Sequence, residues 1–453
     1  MLNYIWLALI LLAVLIGGLD GKLKEVADGA VKGAETAVTL SLGLIGVMAL
    51  WLGVMRLAEK SGLVQALAWG LRPVLRRLFP EVPPEHPALG SMVMNIAANM
   101  LGLTNAATPL GLRAMRDLES LNLCPGTATN AMCTFLAINT GSVQLIPMTA
   151  VAVLAAAGSK YPSAIIGTAF LATLCSSAAG IVAVKALEKL RAFRLAVPAP
   201  GTVIPVSPRA GTAEAGDAAG ASPDSPAVTP APAALSVWGR VVLGLFIVCF
   251  AGFFLRTGFP EWLGQAAVPE QQAQNILVRA VNALSLLAIP FLASFFPLYA
   301  AVRRIQVYEE FVEGATEGFQ VAIRIIPFLV AMLVAIGMFR SAGGIDLLTN
   351  ALKPALDLVR FPPELLPMAL MRPLSGSGSL AIFSDLVKQY GPDHLLVRMA
   401  GTLYGSTETT FYVIAIYFGA VNVRRTRHAV PAGLIADAVG IVASVIVCRW
   451  AFG

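Results

Sequence analysis

Apolar residues in this chain fall into long runs separated by short polar or basic stretches. In the first half the runs cover residues 5–19, 36–55, 87–112, 128–157 and 161–184. In the second half they cover 241–255, 280–302, 321–339, 365–390, 395–420 and 429–448, several of them interrupted by glycines or a single charge. A run of about 18 or more apolar residues is long enough to cross a bilayer as a helix. The pattern therefore predicts an all-α, polytopic membrane protein. No basic residue precedes the first run and no small-x-small cleavage site follows it, so it reads as a retained span rather than a signal peptide. Two pieces between runs, 63–79 and 345–360, each carry a proline and cations on one face. They read as amphipathic helices lying in the membrane interface.

Residues 196–234 break the pattern. They are rich in Ala, Pro, Gly and Ser and cannot bury a core, so they are expected to be a disordered linker. It divides the chain into a first membrane domain, 1–195, and a second, 235–453. Lys185, Lys189, Arg191, Arg194 and Arg240 flank it and favour the cytoplasm. Arg303, Arg304, Arg424, Arg425 and Arg427 call for the cytoplasm too. A simple up-and-down count cannot place them all there, so some segments are expected not to cross fully.

The two halves repeat one another. Gly33 matches Gly314, Gly62 matches Gly343 and Pro73 matches Pro354, always 281 residues apart. Pro83-Pro84-Glu85 matches Pro362-Pro363-Glu364, and Asn139-Thr140 can be laid over Ser406-Thr407. Each half thus reads as one copy of a helical unit, a plan that recurs in secondary transporters with a site between the copies.

Each copy also carries an interruption at membrane depth. In the first, Asn95 and Asn99 share a helix face, GLTNAATP follows, and Thr108-Pro109 reads as the cap and first residue of a new helix. In the second, Pro373 and the alternation Ser375-Gly-Ser377-Gly-Ser379 break the chain, with Ser379 capping a helix from 380 to 389. Backbone groups freed this way must be satisfied by protein or water, because lipid offers no partners. A buried helix N-terminus favours an anionic or polar group. Asn139, Thr140, Ser142 and Gln144 lie inside one apolar run, and Ser406, Thr407, Glu408, Thr409 and Thr410 inside another. Carboxylates within spans are expensive and mark functional sites by default. Glu408 and Asp437 are therefore candidate ion-coupling groups. Arg372 is a candidate charge partner of Glu408, the alternative being a wet cavity around the carboxylate. Arg324, Arg372, Arg398, Glu408 and Asp437, the ionisable groups within spans, all belong to the second half.

Composition narrows the class. The chain of 453 residues is 57% hydrophobic and 13% charged, with a net charge of +6, and its mean hydropathy is +0.76. That excludes a disordered chain, a coiled coil and most soluble enzymes. The basic surplus fits cytoplasmic loops rather than nucleic acid. The five cysteines are far apart, with no CxxC and no histidine at ligand spacing, so neither a metal site, a cofactor nor a disulfide framework is expected. No HExxH, P-loop or nucleophile elbow is present, so the chain is not expected to be an enzyme.

Longer motifs carry a family resemblance. DGK at 20–22, WLGVMRLAEKSGL, LFPEVPPEHPALG, NIAANMLGLTNAATPLGLRAM and TFLAINTGSVQLIP in the first half resemble the spore maturation A family. FVEGATEGFQVAIRIIPFLVAMLVAIGMFRSAGGIDLL, PPELLPMALMRPLSGSGSL, GSTETTFYVIAIYFG and RRTRHAVPAGLIAD in the second half resemble the spore maturation B family. The chain is similar to a fusion of the two, both carrying the nucleoside-recognition Gate domain. The resemblance implies a multi-pass protein of the bacterial plasma (inner) membrane with transporter-like architecture. It does not imply a substrate.

The resulting expectation is a transporter or channel for a small polar solute, nucleoside-like or an organic anion, bound between the repeats. Its site would draw on Asn95, Asn99, Asn105, Thr108, Asn139, Thr140 and Gln144 from the first half. From the second it would draw on Ser375, Ser377, Ser379, Ser406, Thr407, Glu408 and Thr409. The alternative is a non-transporting membrane scaffold for envelope or spore maturation. Expected partners are the solute and the lipid bilayer, with a homo-oligomer left open.

Overall fold

The computed structural model describes residues 2–102, 104–193, 235–264, 275–347, 350 and 360–452. The linker 196–234 and residues 348, 349 and 351–359 of the amphipathic piece 345–360 lie outside the described residues. Among those described there is no strand, only one isolated bridge between Thr127 and Arg425. Six helices among the described residues are long and apolar enough to cross a membrane. The chain is a multi-pass helical membrane protein.

The first half runs α1 (Leu2–Leu19), α2 (Leu23–Lys60), α3 (Leu63–Leu78), α4 (Pro87–Met100), α5 (Thr104–Glu119), α6 (Asn130–Gly141), α7 (Met148–Ala156) and α8 (Ile165–Leu187). The second runs α9 (Val237–Gly258), α10 (Ile276–Val302), α11 (Val307–Ser341), α12 (Leu366–Met371), α13 (Gly376–Tyr390), α14 (Leu395–Ser406), α15 (Thr410–Gly419) and α16 (Ala429–Phe452). Counterparts follow in order: α2 with α11, α4–α5 with α12–α13, α6–α7 with α14–α15, and α8 with α16. α3 is the amphipathic piece of the first half. It buries Val64, Ala68 and Leu75 and leaves Trp69 exposed.

The long helices α2 and α11 set the frame. They pack antiparallel with backbones nearly touching. A Cβ at Gly314 would stand 2.6 Å from the Leu52 carbonyl oxygen, one at Gly318 2.6 Å from that of Met48, and one at Gly29 2.6 Å from that of Gly337. Small residues allow such contact where lipid gives helices no hydrophobic reason to associate. Exchanging the helices through the 281-residue offset turns the contact of Gly33 with Leu333 into that of Gly314 with Leu52. The halves are therefore inverted copies about a pseudo-two-fold axis near residues 42–43 and 323–324. At the Lys60 end, Arg56 pairs with Glu310 at 2.8 Å, Glu313 at 2.5 Å and Glu317 at 2.6 Å. The equivalent position at the other end holds only the bare contact of Gly29 with Gly337.

Four expectations need correction. The run 128–157 is not one span: α6 has 12 residues and α7 has 9, with a non-helical segment between them. At 1.5 Å per residue neither covers a hydrocarbon core of about 30 Å alone. The same holds for 395–420, which α14 and α15 divide at residues 407–409. Thr108-Pro109 does not start a helix, because α5 already begins at Thr104 and holds Pro109 within its first two turns. Ser379 does not cap α13. Ser375 does, accepting from the Gly378 N–H at 3.0 Å, while the Ser379 hydroxyl donates back to the Ser375 carbonyl. Pro109, the sixth residue of α5, lacks the N–H that would bond the carbonyl of residue 105, and the helix continues through it; in α13 the earlier serine has the extended backbone a cap needs.

The α4–α5 pair enters and leaves by one face: His86 Nε2 and Ser120 Oγ, at its two ends, are 3.5 Å apart. Such re-entrant hairpins resolve the charge count. With them, Arg56, Arg72, Arg116, Lys185, Arg240, Arg303 and Arg425 all fall on one face. Arg427 ties that face together, donating to the carbonyls of Phe193 and Ala128.

Candidate functional site

The two broken spans cross at their breaks. Each break exposes backbone groups, and among the described residues one backbone bond joins the two halves there while the rest are satisfied within each half. The Glu408 N–H donates to the Thr140 carbonyl at 2.8 Å. Symmetry would ask the Thr407 carbonyl to take a matching bond from the first half. Instead it accepts from the Arg372 guanidinium, which also lies 4.6 Å from the centre of the Tyr404 ring. The Thr173 hydroxyl on α8 lies 2.9 and 2.7 Å from the Gly141 and Ser142 carbonyls and donates to them. Ser142 itself has φ 29°, the left-handed turn that ends α6. The hairpin tips reach the same place. The Leu145 N–H donates to the Met100 carbonyl, and the Phe411 N–H to the Pro373 carbonyl, each at 3.0 Å.

Side chains at the crossing form three groups. Asn99 Nδ2 donates to Asn139 Oδ1 at 2.9 Å, and Asn95 Nδ2 donates to the Tyr417 hydroxyl at 3.2 Å and the Ala107 carbonyl at 2.8 Å. Gln144 Nε2 donates to Glu408 Oε1 at 2.9 Å, a direct link between the halves. The Thr410 hydroxyl donates to Asp437 Oδ2 at 2.6 Å. Glu408 makes no ion pair among the described residues, and it is half-buried rather than sealed. Arg372 is buried and committed to the Thr407 carbonyl.

The remaining expected residues divide. Ser375, Ser377 and Thr409 stand at the break, with the Thr409 Oγ1 3.1 Å from where a Cβ on Gly376 would be. Ser379 and Ser406 bond to their own helices' carbonyls and point no donor at the crossing. Thr108 is half-buried on α5. The side chains of Asn105 and Arg324 lie outside the description. Thr173, Tyr404 and Tyr417 were not legible as site residues, since a threonine or tyrosine in an apolar helix normally reads as packing.

Several buried polar atoms at the crossing have no protein partner: Arg372 Nε, Thr140 Oγ1, Ser142 Oγ and Asp437 Oδ1. A buried polar atom left unpaired costs about 1–3 kcal/mol. They gather where the backbone is also unwound, which makes the crossing the candidate site.

Comparison with known proteins agrees with this architecture. The Gate family, described as nucleoside recognition, matches residues 41–185 and 322–424, together more than half the chain. The chain is 45% identical over 173 residues to spore maturation protein B of Bacillus subtilis, which covers 38% of this chain and 97% of that protein. It is 43% identical over 182 residues to spore maturation protein A of the same organism, covering 40% of this chain and 93% of that protein. No solved structure matches.

Proposed function

The chain belongs to the nucleoside-recognition Gate family, and on that premise we propose that it carries a small polar solute across the membrane through the crossing of its two broken spans. One observation carries the reading. Gln144 of one copy and Glu408 of the other meet at a helix break, amid buried polar atoms that the protein leaves unpaired. Inverted repeats with a midplane site between discontinuous helices are a plan that alternating-access transporters often use. Arg372 Nε offers a donor to an anionic or carbonyl group, and the second oxygen of Glu408 an acceptor. Glu408, which pairs with no arginine among the described residues, is the group placed to take up a cation or proton with the solute.

The two relatives are named for spore maturation, and that name suits a membrane scaffold as well as a transporter. The readings separate in one experiment. Metabolites of a strain lacking this protein are compared with wild type, and the strain is complemented with wild-type protein or Glu408→Gln. The substitution keeps shape and the bond from Gln144. Transport predicts altered distribution of a small solute in the deletion strain, rescue by wild type, and no rescue by a Glu408→Gln protein that is made at normal levels. An unchanged metabolite profile in the deletion strain would leave the scaffold standing.

A further inference from the structure

A second polar feature lies away from the crossing. A cleft of about 470 Å³ is lined by Glu35, Thr36, Thr39 and Gly43 of α2, the Ala156–Ala157 end of α7, and Ser384, Val387 and Lys388 of α13. That volume is in the range of small-molecule pockets. Its walls mix apolar groups with charged and hydroxyl-bearing ones. On α2 the lining positions 35, 36, 39 and 43 share one helix face, and on α13 positions 384, 387 and 388 share another, with Gly391 just past its end. From Glu35 to Gly43 the cleft follows α2 for about 12 Å. Gly43 lies at the pseudo-two-fold point, so the cleft reaches from one face to the middle of the molecule's thickness. Gly43 also makes the space: a Cβ there would stand 3.1 Å from that of Ala156. Both α7 and α13 begin at the crossing and end at the cleft.

The repeat sharpens the point. The positions 281 residues on from Glu35, Thr36, Thr39 and Gly43 are Thr316, Glu317, Gln320 and Arg324. Glu317 is held by Arg56 at 2.6 Å. Its counterpart Thr36 instead accepts a hydrogen bond from Lys388, which leaves that ammonium two further donors.

We propose that this cleft is the outer docking site for the transported solute, a reading that rests on the transport function above and adds the solute's chemical class. The functional groups define that class. Lys388 offers donors and a positive charge. The Thr39 hydroxyl spends its proton on the Glu35 carbonyl, so toward the cleft it accepts, while Ser384 is buried in the wall and bonds the Leu380 carbonyl. The Glu35 carboxylate, which makes no ion pair among the described residues, accepts as well. One cationic donor beside several acceptors fits a compact solute with one anionic group and N–H or O–H donors next to it: an amino acid or a hydroxy acid.

The test uses the full chain with its five native cysteines replaced and one introduced by Thr39→Cys, in sealed membrane vesicles of known orientation. A sulfonate-bearing methanethiosulfonate and its trimethylammonium counterpart are applied from each face. Labelling is expected from one face only. Lys388→Gln should slow the anionic reagent and Glu35→Gln the cationic one, each roughly tenfold at low salt. Amino or hydroxy acids should protect the cysteine, and neutral sugars of similar size should not. No labelling, equal labelling from both faces, or rates indifferent to Lys388→Gln would overturn the docking site. Labelling as expected without protection by either class of acid would overturn the assigned chemistry. A parallel Gln144→Cys protein separates this from the crossing: if it stays unreactive while Thr39→Cys behaves as expected, the transport reading fails and the cleft stands.

Discussion

His428 sits immediately before α16 with no solvent exposure and no hydrogen-bond partner on either ring nitrogen, its ring edge-on to Phe193. Burial, followed by the positive charges of Arg427 and Lys185, pushes its pKa down to about 4. The folded protein thus holds this histidine neutral, while the unfolded chain takes a proton near pH 6.5. Between those values the unfolded state binds more protons, so stability falls as pH falls, from about 6.5 down to about 4. His428→Leu should flatten that dependence. Thermal unfolding in detergent at pH 7 and pH 5 checks it: wild type loses midpoint temperature on acidification, and the variant loses less. An equal loss in both would place the acid sensitivity elsewhere. Glu408 illustrates the opposite case at the same scale. Its position in an apolar run flagged it, yet nothing in the chain order could name Gln144, 264 residues away, as its partner.

Among elements, the α2–α11 pair is the contact on which both halves hang. Its glycines differ in what surrounds them. A Cβ on Gly318 would meet Met48 and Ala49 backbone atoms at 2.6 and 2.7 Å, whereas one on Gly46 would meet nothing within 4 Å. Overpacking at a backbone contact cannot be relieved by a side-chain rotation, and it typically costs 1–3 kcal/mol or more. Gly318→Leu should lower yield and thermal midpoint sharply, and Gly46→Leu should leave both near wild type. If the two variants behave alike, the close approach of these helices is not what stabilises the pair. The broken spans teach a related lesson. Their interior hydroxyls and amides were legible as unusual, but α6 and α7 read as one span because every residue from 128 to 157 is uncharged. The break exists because Thr173, Met100 and the facing break supply partners for the freed backbone, and those partners come from other elements.

For the whole molecule, inversion of the halves has a topological consequence. α8 ends on the arginine-rich face, where α10 also ends. α10 must therefore begin on the opposite face, and one extra crossing is needed between the halves. α9 supplies it. It has no counterpart in the first half, it buries only Gly239, Leu243 and Gly258, and its two ends lie beside Val302 and Ala283 of α10. Residues 1–195 and 275–453 produced as separate chains should co-purify. The same two segments joined by a short Gly/Ser linker should not assemble, because the second would start on the wrong face. A stable, correctly assembled direct fusion would contradict the inverted arrangement.

The sequence alone was enough for whatever depends on composition and spacing. Hydropathy runs placed the apolar segments, the 281-residue register exposed the repeat, and carboxylates and amides in apolar runs pointed to the crossing of the broken spans, because burying them in lipid is costly wherever they occur. Only the tertiary structure decided where the spans break, which hydroxyls face the crossing rather than their own helices, and that Arg372 holds the Thr407 carbonyl instead of Glu408. Those outcomes depend on which atoms of distant segments come within about 3 Å to share a hydrogen bond. An inverted packing of two similar halves fixes that, and no local pattern in either half records it.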